Sequence, residues 1–271
     1  MKKKYFFLSG LPRSGSTLLS CILNQNPEIY CTNESPICNL IYQTDKYFNE
    51  NDEYNSSKNE NGKFEVCRSI IENYYKNKSQ SFIIDKCRSW GTPDNLCLIK
   101  KYITNDIKII CPVRPILEIL ASFIKLFNEH NNRVNFTDLN IKNNNRYVYR
   151  SLDEMRCDEL MSMNSPMDKA LFSLSQSQLP ENKNLFYLVE YDDLILNTKK
   201  SIKDIYDFLN IKYFNHNFES ISQSNEINHN YYNLPSLHKI REKIEKKSTP
   251  PQEILSDYII NKYKNYEFWK K

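Results

Sequence analysis

The chain has 271 residues, 40 % of them apolar and 13 % aromatic, enough to bury a full core and too apolar for a disordered chain. Lys and Arg number 37 against 33 Asp and Glu, a net charge of +4. That excess is too small for a polyelectrolyte partner, so nucleic acid is set aside, but it leaves room for a local anion pocket.

The apolar run at the start ends within about seven residues and no later run reaches the ~18 needed for a membrane span. The start therefore reads as a first strand, not a signal peptide, and no membrane insertion is expected. Apolar runs of strand length lie at 5–9 (YFFLS), 81–85 (SFIID), 107–113 (IKIICPV) and 184–191 (NLFYLVEY), with helix-like segments between them. This alternation predicts an α/β, three-layer fold with a central parallel sheet flanked by helices. In such a fold ligands gather at the carboxyl ends of the strands.

Two polar stretches, 51–63 and 130–146, read as exposed loops or insertions. Residues 151–179 show apolar residues at helical spacing with a break at Pro166, and the methionines there (Met155, Met161, Met163 and Met167) read as helix packing. The pair Asp192 and Asp193 is placed to cap a helix, and a terminal helix follows Pro250 and Pro251. No repeat divides the chain, and 1–271 reads as one domain. The eight cysteines stand singly, without a C-x-x-C pair, as reduced buried thiols of a cytoplasmic protein would.

The first strand runs into LSGLPRSGSTLL, residues 8–19, a phosphate-binding pattern in which Ser16 stands where lysine follows the second glycine. Gly10 and Gly15 give the backbone its freedom. Ser14, Ser16 and Thr17 offer hydroxyl donors, Arg13 a bidentate contact, and the helix STLLSCIL an N-terminus for an anion. Without the ammonium that bridges the β- and γ-phosphates of a triphosphate, the loop suits a single phosphate unit better.

Together with NPEIYCTNESP (26–36), this loop resembles the N-terminal signature of sulfotransferases that use 3'-phosphoadenosine 5'-phosphosulfate (PAPS), nearest to the tyrosylprotein and related bacterial and carbohydrate branches. The resemblance implies a P-loop-type fold in which the loop holds the 5'-phosphosulfate. It also implies that the 3'-phosphate is read by Arg114 after a strand and Ser122 eight positions later, with Pro115 at the first helical position. Lys86 becomes a second cation at the leaving group beside Arg13. Glu34 becomes the general base, although Asn33 precedes it where the family shows a second acid.

In EYDDL, Tyr191 faces the nucleotide and Asp193 caps or braces. The segment 234–248 closes over the site, with Ser236 and Arg241 as contacts and Lys246 or Lys247 reaching the 3'-phosphate. Among the histidines (His130, His216, His229 and His238) the closing-segment His238 is the other candidate base. The reaction implied is sulfuryl transfer to a hydroxyl with adenosine 3',5'-bisphosphate as product and no metal required. A peptide tyrosine, a carbohydrate and a small alcohol all stay open as acceptor, and oligomeric state is not readable. Two alternatives remain. One is a P-loop kinase or nucleotide hydrolase with Asp85 binding magnesium, the other a non-catalytic binding module of the same fold.

Overall fold

The computed structural model describes residues 3–143, 150–222, 233–246 and 249–270. Strand β1 (Lys4–Leu8) leads to helix α1 (Ser16–Leu23) and the short strand β2 (Ile29–Cys31). Helices α2 (Ile37–Glu50), α3 (Asp52–Ser57) and α4 (Glu60–Tyr74) precede β3 (Phe82–Lys86), and α5 (Pro93–Leu98) precedes β4 (Ile109–Val113). Then come α6 (Ile116–Glu129), α7 (Phe136–Asn143), α8 (Leu152–Leu160), α9 (Pro166–Ser175) and β5 (Phe186–Glu190), followed by α10 (Tyr191–Leu196), α11 (Thr198–Leu209) and α12 (Asp257–Tyr263).

The five strands are parallel in the order β2-β3-β1-β4-β5, the α/β sheet flanked by helices that the apolar runs predict. Side chains alternate across it with the period of a strand. Phe7, Ile83, Ile109, Cys111 and Val113 enter the larger core under α2, α4, α6, α8 and α9, while Phe6, Leu8, Ile84, Ile110 and Val189 enter a smaller one under α1 and α11. In register, Leu8 lies opposite Lys86 on one side and Ile110 on the other. The carboxyl ends of β1 and β3 therefore meet where the loop begins, and β4 runs three residues further past it.

Several expectations are corrected. Strand β2 is only three residues long, too short for a periodicity to register. Residues 51–63 carry α3 and the start of α4 in place of a loop, because Asn51 accepts from the Tyr54 amide and Asn59 from the Gly62 amide, each at 2.8 Å. Residues 130–143 hold α7, begun by Asn135, whose Oδ1 accepts from the amides of Thr137 and Asp138. The Asp pair does not cap: α10 and α11 break at Asn197, where Asp193 accepts from the Asn197 amide group at 3.4 Å and Asp192 pairs with Lys246 at 2.7 Å. Pro166 starts α9 as its break predicts, and Met167 is buried, but Met163 is 83 % exposed. None of the eight cysteines forms a disulfide, though Cys97 is exposed and Cys87 half-buried. Among the described residues no helix is long and apolar enough to cross a membrane.

Candidate active site

Between β1 and α1 the chain turns through two left-handed residues, Arg13 (φ +59°) and Gly15 (φ +85°). Gly10 packs so closely on β4 that a Cβ there would lie 2.6 Å from the Pro112 carbonyl oxygen. At Gly15 a Cβ would meet Leu194 and Tyr191 at 3.1 and 3.2 Å. These constraints set the start of α1 at the carboxyl edge of the sheet. No side chain caps α1 and no acid lies in its first turn, so its N-terminal partial charge, roughly half an elementary charge, is left for an anion.

The loop opens into a cavity of about 260 Å³. Among the described residues that line it, eight are Lys or Arg and two are Glu, so the wall is cationic well beyond the chain's small net charge. Arg13, Gly15, Ser16, Thr17, Lys86, Arg114, Ser122, Tyr191 and Arg241 all line it.

The two sequence motifs meet here. Arg13 donates from Nε to Ser122 Oγ at 3.1 Å and from Nη1 to the Leu237 carbonyl. Arg114 donates from Nη1 to the Arg13 carbonyl and from Nε to Glu118, both at 3.0 Å, and its guanidinium stacks 4.2 Å from the Tyr191 ring centre. Burial and the charge of Arg114 bring the Arg13 pKa down to about 10. Pro115 stands at the N-cap of α6, one residue before the first helical position.

At the other end of the cavity Lys86, 8 % exposed, closes β3, its amide donating to Thr32 Oγ1 at 2.8 Å. Burial, then the charge of Arg88, lowers its pKa to about 8 against the opposing pull of Glu34. Glu34 Oε1 lies 3.3 Å from His238 Nε2, and His238 Nδ1 lies 3.5 Å from Thr17 Oγ1. Partial burial resists the ionisation of Glu34, but the hydrogen bond and charge of His238, with Arg88 and Lys86, outweigh it and hold the carboxyl at about 2. A carboxylate held that low is a weak proton acceptor. The closing segment thus carries a histidine directly onto the candidate base and the loop.

Other expected residues lie elsewhere. Ser14 is fully buried and its hydroxyl donates to the Leu11 carbonyl, inside the turn and not toward the cavity. Ser236 meets His130 Nε2 at 3.3 Å, outside the cavity lining, because the segment turns at 234–237 and presents Leu237 and His238 inward. Lys246 pairs with Asp192 and also stays outside the lining. His216 is buried 3.0 Å from the Tyr206 hydroxyl, where burial lowers its pKa to about 4. Lys247 and His229 lie outside the described residues.

Asp85, the acid a kinase would need, points into the larger core and is fully buried. It accepts from Ser35 at 2.6 Å, from Trp90 at 2.7 Å and from Tyr75, and burial raises its pKa in spite of them. Strand alternation turns it to the face opposite Lys86, so it is not placed to hold a metal at the loop.

Four cavity cations escaped the sequence reading: Arg88, Lys125, Lys239 and Lys243. Arg88 had a signal, since it stands two residues beyond Lys86 on the same strand end. Lys125 lies one helical turn past Ser122 on α6, donating to Thr249 at 3.5 Å.

A family model described as "Sulfotransferase family" matches residues 6–215. Among solved structures the chain is similar to a sulfotransferase from Alicyclobacillus acidocaldarius, with 12 % identity, 84 % of this chain and 87 % of that one covered, and a TM-score of 0.50. It is also similar to the sulfotransferase domain of the curacin biosynthetic pathway, with 14 % identity, 98 % and 91 % covered, and a TM-score of 0.49. No curated protein matches the sequence. The match of the family model over most of its length shows that this chain belongs to the sulfotransferase family.

Proposed function

We propose that the protein transfers the sulfuryl group of PAPS to an acceptor hydroxyl. The observation that carries this reading is the joining of Arg13, Arg114 and Ser122 on one wall of a cavity whose lining holds eight cations and two acids. A donor with a sulfate and two phosphates is the kind of polyanion such a wall suits, and a loop with Ser16 in place of lysine suits a nucleotide without a magnesium-bound triphosphate.

When bound, PAPS supplies an activated sulfuryl group and a nucleotide leaving group. The uncapped amides of α1 with Ser16, Thr17 and Lys86 hold its 5' anionic end, and Arg114, Ser122 and Arg241 hold the 3'-phosphate side, with Tyr191 along the wall. Lys86 and the loop neutralise the charge that builds on the bridging oxygen as its bond to sulfur breaks.

The base is the Glu34–His238 pair. With Nε2–H directed at the carboxylate, His238 keeps Nδ1 to take the acceptor's proton as the new oxygen–sulfur bond forms, and Glu34 stabilises the resulting imidazolium. The acceptor is a hydroxyl compound of the classes left open above.

The test incubates the protein with PAPS and a panel of a tyrosine peptide, a pyranoside and a small alcohol, and measures acceptor-dependent release of adenosine 3',5'-bisphosphate. Release is expected with one of the panel, falling roughly 10²–10⁴-fold in His238→Ala and less in Glu34→Gln. Magnesium-dependent turnover of ATP without any binding of PAPS would overturn the reading.

A further inference from the structure

Four cations of the cavity wall have no part in holding the donor: Arg88, Lys125, Lys239 and Lys243. The lining holds eight cations and two acids, and both acids face cations already assigned, Glu118 to Arg114 at 3.0 Å and Glu245 to Arg241 at 3.9 Å. A bound donor brings roughly four negative charges, up to about two of them on its 3'-phosphate. The wall therefore keeps a surplus of positive charge with the donor in place.

Of these four, Arg88 is the one the fold holds most firmly. Lys125, Lys239 and Lys243 are exposed, whereas Arg88 is half-buried. Just past β3, the Cys87 amide donates to the Leu8 carbonyl at 3.1 Å, and Ser9 Oγ donates to the Arg88 carbonyl at 2.7 Å. The backbone of Arg88 is thus bound to the end of β1, while among the described residues no hydrogen bond or ion pair holds its guanidinium.

Its place in the cavity is beside the transfer point, away from the wall of Arg114 and Ser122. It lines the cavity with Lys86 and His238, and its charge acts on both Lys86 and Glu34. An acceptor whose hydroxyl reaches His238 therefore brings its neighbouring groups to Arg88. The planar fork of a guanidinium matches a carboxylate or a phosphate through two parallel hydrogen bonds.

We propose that Arg88 binds an oxyanion, a carboxylate or a phosphate, carried by the acceptor itself, so that the acceptor is an anionic hydroxyl compound. This inference rests on the reading of PAPS as donor. Arg88 holds the anchoring group of the acceptor and sets specificity, and the surplus charge of the wall turns cationic hydroxyl compounds away.

The experiment titrates the protein saturated with adenosine 3',5'-bisphosphate, by calorimetry, with matched anionic and neutral compounds. The pairs are 4-hydroxyphenylacetate with its amide, a glucuronide with the corresponding glucoside, and glycerol 3-phosphate with glycerol, which separate carboxylate from phosphate. In at least one pair the wild type is expected to bind the anion about tenfold or more tightly than its neutral partner, as a hydrogen bond to a charged group implies. Arg88→Gln is expected to remove that preference and Arg88→Lys to keep part of it. Both variants are expected to bind the bisphosphate within about threefold of wild type and to unfold at the wild-type temperature.

Absence of a preference in every pair, or of any binding to the loaded protein, would overturn the proposal. A preference that persists in Arg88→Gln would place the anion elsewhere and overturn it too. So would a loss of bisphosphate affinity in Arg88→Gln as large as the loss for the anion, which would assign Arg88 to the donor. Failure of the wild type to bind the bisphosphate would instead remove the donor assignment, and this inference with it.

Discussion

Arg114 Nη1 donates to the carbonyl oxygen of Arg13 at 3.0 Å, so the residue expected to read a phosphate also holds the left-handed turn of the loop. The same guanidinium reaches Glu118 and covers Tyr191. Its planar fork serves three partners at once, which an ammonium cannot do.

Arg114→Lys is therefore expected to lose stability by about 1–3 kcal/mol, as removal of hydrogen bonds from a buried charged group does, and to weaken adenosine 3',5'-bisphosphate binding by at least about tenfold. Glu118→Gln keeps the tether to Arg13 and should lose less of both. Denaturant unfolding and calorimetry on the two variants check this. A stable, tightly binding Arg114→Lys would show that the loop needs no tether.

Lys86 predicts a proton linkage. With its pKa brought to about 8 by burial and Arg88, it is partly deprotonated in the free protein between about pH 8 and 9, and an anion bound beside it favours the protonated form. Bisphosphate binding near pH 8.5 should then take up a fraction of a proton, read from binding heats in buffers of different ionisation enthalpy, and Lys86→Met should abolish the uptake. The stability effect has the opposite origin. The folded value lies below the ordinary lysine value of 10.5, so the unfolded chain binds more protons between about 8 and 10.5, and this group's contribution to stability rises with pH across that window. Lys86→Met should flatten that rise, and binding without proton uptake would place Lys86 away from the anion.

How far the sequence reached follows from the range of each interaction. The loop and α1 were readable because glycines, hydroxyls and an apolar helix lie within a dozen residues, and Arg114 with Ser122 because both sit on one strand-to-helix junction. Helices α3 and α7 were missed because their asparagine caps look like loop residues until the amides they accept from are known. The meeting of His238 with Glu34 and Thr17 depends on how the closing segment crosses the molecule, which no local pattern encodes. For the same reason the sequence does not tell Ser236 from the residues beside it: in an irregular segment no periodicity says which side chain turns inward.

The two loop glycines separate folding from binding. At Gly10 an added Cβ would press on the backbone of Pro112 at 2.6 Å, and a strand in the middle of the sheet cannot yield, so Gly10→Ala is expected to destabilise by about 1–3 kcal/mol through overpacking. At Gly15 the atoms nearest to the added Cβ belong to the side chains of Leu194 and Tyr191. The left-handed φ of +85° adds strain of about 1–2 kcal/mol, and the neighbour that must give is the ring on which Arg114 stacks. Gly15→Ala should therefore lose adenosine 3',5'-bisphosphate affinity out of proportion to its stability, whereas the affinity of whatever folded Gly10→Ala remains should stay nearer to wild type. Urea unfolding and calorimetric titration of both variants decide the matter. The reverse ranking, with Gly10→Ala the weaker binder per folded molecule, would mean that the anion is held by the packing of the loop on β4 and not by the first turn of α1.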